Sequence, residues 1–136
     1  MVGRLVYVGR MFDKIRLHAQ GKLPADYVPN LGCAIPGVFD SRACTFLGIA
    51  YEDLRRRVLA GGTDEEILAW CHEKGTPRSD FDCVLFNTFL LKRGWHDEAS
   101  ERLASRVKEF GLERFQIDTF FDMLNADEGR GVPKVG

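Results

Sequence analysis

The sequence predicts an all-α fold, and three observations predict it. Apolar residues recur three and four positions apart, the spacing that gathers side chains on one face of a helix. Each such run is ended by glycine, which enters the left-handed backbone beyond a helix C-terminus without a Cβ clash. Thr63-Asp64-Glu65-Glu66 has the spacing of a capping box, in which a threonine hydroxyl accepts the third helical amide and a glutamate reaches back. With 136 residues, 45% of them hydrophobic and 29% charged, the chain suits one domain with a single core. The expected architecture is a compact bundle of about six helices around a central buried one. Residues 1–136 are expected to form one α-helical domain, with a short arm at 1–8 and a flexible tail at 129–136.

The first helix is expected over residues 9–20, because Val8, Met11, Phe12, Ile15 and Ala19 share a face and Gly21 follows. The segment LPADYVPNLGCAIPG, residues 23–37, holds three prolines and two glycines and reads as a surface loop. A short helix follows near Val38–Leu47. Another runs from Tyr51 to Ala60 with Tyr51, Leu54 and Val58 on one side, closed by Gly61-Gly62. The Thr63 box opens a helix that ends in LAWCHEKG. Ser79 opens the next, whose Phe81, Cys83, Val84, Leu85, Phe86, Phe89, Leu90 and Leu91 are apolar on nearly every side. A helix apolar all round is normally buried, so this one is expected at the centre. Gly94 ends it, Asp97 and Glu98 place negative charge in a following first turn, and Ala99, Leu103, Val107 and Phe110 make the next stripe before Gly111. Ile117, Phe120, Phe121 and Leu124 mark the last helix.

The net charge of -1 argues against a general nucleic-acid binder, which usually carries a basic excess. The charge is uneven: residues 1–60 hold nine Lys/Arg against five Asp/Glu, and residues 61–136 hold ten against fifteen. Leu5–Val8 is too short for a signal-peptide core and nothing approaches a membrane span, so a cytoplasmic protein is expected. In that compartment Cys33, Cys44, Cys71 and Cys83 stay reduced.

Four blocks, GRMFDKIRLHAQGKL, GGTDEEILAWC, RGWHDEAS and FFDMLNADEGR, fall in order over residues 9–130. Together they resemble a family of small bacterial proteins described as a domain of unknown function. The resemblance implies a bacterial, soluble, single-domain protein. It brings no reaction, cofactor or partner, so no catalytic role passes to any residue.

LAWCHEKG raises the question of a thiol and imidazole acting together. Cys71 shares a face with Ile67 and Leu68, whereas His72 is turned about 100° away. Burial and the helix C-terminus both disfavour a thiolate, so Cys71 is expected to be inert. Protonated, His72 is suited to capping terminal carbonyls beside Lys74 and Gly75. The cysteines are separated by 11, 27 and 12 positions and His18, His72 and His96 are scattered, so neither a metal nor any cofactor is expected. Asp122, Asp127 and Glu128 around Asn125 lack the spacing of a calcium loop. Arg55, Arg56 and Arg57 spread around a helix and read as a solvated face.

Leu17 is the surface clue. With the apolar side of the first helix inward, it falls opposite, among Arg10, Asp13 and Lys14, unless the 23–37 loop folds back over it. These four residues are therefore the expected partner surface of a small protein-interaction module, binding another protein or a second copy of itself, with no chemistry of its own and no nucleic-acid or membrane partner. The alternative is a small-ligand pocket or minor enzyme between helices, lined by His18, Asn87, Trp95 and Asp122. Asn87 is placed there because a polar side chain in an apolar helix must find hydrogen-bond partners. Trp95 is expected either to wedge a helix junction or to stack on a ligand.

Overall fold

A computed structural model of the chain describes residues 2–23, 25, 31, 32, 38–95, 97–113 and 115–127. Seven helices form among them, against the six or so expected: α1 (Val8–Ala19), α2 (Phe39–Leu47), α3 (Tyr51–Leu59), α4 (Asp64–Lys74), α5 (Asp80–Lys92), α6 (Ser100–Glu109) and α7 (Phe120–Asp127). The fold is all-α, and among the described residues there is no strand, only isolated bridge residues such as the Val2–Leu5 pair. No helix is long and apolar enough to cross a membrane. Cys33, His96, Glu128, the 129–136 tail and most of the 23–37 loop lie outside the described residues. Two compact units divide the chain, Met1–Asn87 and Thr88–Gly136.

In the first unit α1 packs on α3, and α3 on α4. Val8, Met11, Phe12 and Ile15 are buried as the spacing predicts, but Ala19 is exposed, because the helix ends there, a turn beyond its last packed residue. Leu54 and Val58 of α3 and Ile67, Leu68 and Cys71 of α4 complete this layer. The residues expected to form a free arm belong to the core instead. Val2 and Leu5 exchange backbone N–H···O bonds of 3.1 and 3.0 Å around Gly3, and Val2, Leu5 and Tyr7 are buried. Thr63 caps α4 by accepting the Glu66 amide at 3.2 Å, while the Glu66 carboxylate meets the Thr63 hydroxyl at 3.2 Å rather than the expected backbone amide. Where α4 ends, Gly75 is pressed against the end of α2: a Cβ there would lie 2.1 Å from the Leu47 carbonyl oxygen, which accepts the Thr76 amide at 2.8 Å.

The deepest polar group of this unit is Asp40, in the first turn of α2 and fully buried. A buried carboxylate is tolerable only when donors surround it. Asp40 Oδ1 accepts the Tyr7 hydroxyl at 2.6 Å and the Lys14 ammonium at 2.8 Å, and Oδ2 accepts the Gly32 amide at 3.0 Å. Phe39 meets the Tyr7 ring edge-on at 5.3 Å. Tyr51 lies beside Gly32, whose φ is 67° and where an added Cβ would come within 2.7 Å of the ring, so a side chain has no room. Burial, and then the charge of Asp40, push the Tyr51 hydroxyl up to about 12.

The second unit has a smaller core of Leu103, Leu112, Met123 and Ala126, with Val107, Phe110, Phe115, Ile117 and Phe120 packed against it. Ile117 packs from the loop ahead of α7 and not from the helix itself. Arg93 is the buried charge here, bonded to Glu98 at 2.5 Å and 3.7 Å from Asp97.

Replacing Asp40 with Ala is expected to destabilise the protein by about 3–5 kcal/mol in urea titration, the range for removing one member of a buried ion pair. The double variant Asp40→Leu with Lys14→Met, which removes both charges, is expected to recover most of that loss.

Candidate interaction surface

Helix α5 begins with a reciprocal cap. Ser79 Oγ accepts the Asp82 amide and Asp82 Oδ2 accepts the Ser79 amide, both at 3.1 Å, and this second bond leads the causes that hold the Asp82 carboxyl below its ordinary range. One side of the helix is held by its own chain: Cys83 and Leu90 are buried, and Phe86 stacks on Phe46 at 4.3 Å, with the Arg78 guanidinium over the far ring. Asn87 completes that side. Its Oδ1 accepts the Val6 amide at 3.1 Å and its Nδ2 donates to the Arg4 carbonyl at 2.6 Å, and Arg4 also pairs with Asp80. Both ends of the amide are thus bound to backbone, so Asn87 is a clamp on the N-terminal residues and not a ligand-facing group.

The other side overturns the expectation of a central buried helix. Phe81 is 68% exposed, Val84 57% and Leu85 54%, and Phe89 and Leu91 are exposed with them. At about 100° per residue, positions 81, 84, 85, 88, 89 and 91 fall within one face of α5 roughly 160° wide. The helix is apolar on both sides, and its own fold covers one of them. The face carries only Thr88 as a small polar residue near its middle. Asp80 and Asp82 stand in the first turn and Lys92 in the last. All-round apolarity alone could not distinguish a core helix from one covered on half its surface; the opposite charges at the two ends were the remaining signal.

The surface expected on α1 is not assembled. Leu17 is 37% exposed, as its position implied. Lys14, however, turns inward to Asp40, its long stem carrying the ammonium past the helix edge. Asp13 pairs with Arg16 at 3.0 Å, and Arg16 reaches Asp64 at 2.6 Å. Arg10 is half-buried. Lys14 is thereby drawn away from Leu17, while Asp13, though exposed, is paired along the helix.

Of the alternative pocket residues, His18 and Asn87 belong to the first unit and Trp95 and Asp122 to the second. His18 is exposed on the last turn of α1. Asp122 serves the start of α7, its carboxylate accepting the Asp118 amide and its own amide donating to Thr119, both at 3.1 Å. Trp95 is 49% exposed, so it is not a buried wedge.

Cys71 is buried and free, like Cys44 and Cys83, and burial pushes its thiol up to about 11. His72 is half-buried, and burial followed by the charge of Arg4 lowers its pKa, opposed by a backbone hydrogen bond with Thr76. Peptide-resolved alkylation at neutral pH is expected to label Cys71 at least about 100-fold more slowly in the folded protein than in urea. The His72 shift gives a pH dependence. The folded imidazole holds its proton less tightly than the unfolded one at 6.5, so the stability it contributes is complete above that pH and is lost as pH falls through the lowered folded value. His72→Gln is expected to flatten the decline in Tm from that pH down to about 5, with little effect at pH 8.

No curated protein and no solved structure matches the chain. A family match does, and it extends over the N-terminal residues that Asn87 clamps: residues 1–130 match the domain of unknown function DUF5069, and the chain belongs to that family.

Proposed function

We propose that the protein is a small bacterial, cytoplasmic interaction module that acts by self-association, the exposed face of α5 docking against α5 of a second copy. The observation that carries this reading is the run of large apolar side chains left uncovered on a helix whose opposite side is already packed. Exposed apolar patches of this kind mark contact surfaces. A second copy is favoured over a foreign partner by the ends of the helix. A two-fold axis pairs a surface with itself, and two antiparallel α5 helices then bring the acidic first turn of one, where Asp80 also pairs with Arg4, toward Lys92 of the other. Thr88, small and central, allows the helices to approach closely. Three buried cysteines that remain thiols fit the reducing compartment.

The test is the mass in solution by light scattering and sedimentation. The wild-type chain is expected to be a dimer at about 50 µM, and Leu85→Asp to be a monomer with an unchanged circular dichroism spectrum. Asp80→Lys and Lys92→Glu are each expected to weaken the dimer, and the two together to restore it. A wild-type monomer at every concentration, or a Leu85→Asp dimer as stable as wild type, defeats the proposal.

A further inference from the structure

The first unit carries a second feature, which does not depend on α5. Helix α3 places Arg56 and Arg57 in its last turn and α4 places Lys74 in its own, as the negative end of each helix dipole favours. Together with Ile49, Asp53 and Trp70, these side chains line an open cleft of about 480 Å³, within the range of small-ligand sites. Three cations face one carboxylate there. Asp53 pairs with Arg56, which leaves the charges of Arg57 and Lys74 in excess. Arg57 is fixed in place, donating through Nη1 to the Gly61 carbonyl at 2.7 Å, while Lys74 is exposed. Half-buried Trp70 and buried Ile49 supply an apolar wall beside the cations.

We propose that this cleft binds a small molecule in which a flat ring is joined to a phosphate monoester, the chemistry of a nucleoside monophosphate. The surplus of positive charge, reduced by the negative ends of the two helices it faces, attracts an anionic group. A guanidinium fork and an ammonium are the usual phosphate partners. The indole offers a face for a ring, and such stacking tolerates different bases. A cleft of one ligand's volume, in a chain with net charge -1, suits a small molecule rather than a polymer.

The chain has two tryptophans, so Trp95→Phe leaves Trp70 as the sole indole reporter. Adenosine monophosphate titrated into that variant at low salt is expected to quench the emission saturably, with Kd on the order of 10–100 µM. Inorganic phosphate alone and adenosine alone are each expected to bind at least about tenfold more weakly, and Lys74→Glu to weaken the nucleotide by about tenfold or more while Lys74→Arg retains it. Circular dichroism confirms that each variant is folded. The proposal is overturned by the absence of saturable quenching up to about 5 mM nucleotide. It is equally overturned by a folded Lys74→Glu variant with unchanged affinity, or by inorganic phosphate binding as tightly as the nucleotide.

Discussion

The first unit is organised around one requirement, that the carboxylate of Asp40 be surrounded by donors where water does not reach. The donors come from separate stretches of chain: Tyr7 from the residues before α1, Lys14 from α1 itself, and the Gly32 amide from the loop that precedes α2. Each has to arrive for the others to be tolerable, so the charge sets the register of α2 against α1 and against the loop together. An apolar residue at position 40 would pack as well with many arrangements of those segments. Asp40 packs with one. Gly32 belongs to the same constraint, since its amide donates to Oδ2 at a position where an added Cβ would strike the Tyr51 ring.

Much of the helical framework was legible because helix starts, stops and faces are local properties. The Thr63 cap and the buried faces of α1, α3 and α4 follow from residues within a few positions of one another. What was not legible depends on partners far along the chain. Asp40 meets Tyr7 across 33 positions, and nothing near position 40 in the sequence distinguishes it from a surface aspartate. Lys14 was misplaced for the same reason: on a helical wheel it flanks the solvent side, and only the buried carboxylate draws it inward. The face of α5 was misread in the opposite direction, because Phe81, Val84 and Leu85 were assigned to a core that the described residues do not build over them. Asn87, by contrast, was correctly singled out as needing partners, although its partners, the backbone of Arg4 and Val6, lie more than 80 positions away.

Acidic starts and basic ends, which serve the dipoles of individual helices, also shape both surfaces proposed to be functional. On α5 the two ends of one helix carry opposite charges along an apolar face. At the cleft, the basic ends of α3 and α4 meet beside an indole. Charges placed for helix stability thereby become arranged for recognition. Both proposed surfaces thus rest on charge and exposed apolar groups rather than on the buried thiol of Cys71, whose pKa burial raises.

The Asn87 clamp has a consequence for the order in which the protein can be made. Residues 4 and 6 are synthesised before α5, yet the side chain whose bonds hold their backbone lies 83 and 81 positions later. Closing so long a loop is entropically costly and belongs late in folding. Until α5 has been synthesised and docked, the beginning of the chain lacks those bonds, and the covered side of α5 lacks its seat. The apolar outer face therefore becomes a presentable surface only after both termini of the first unit have met.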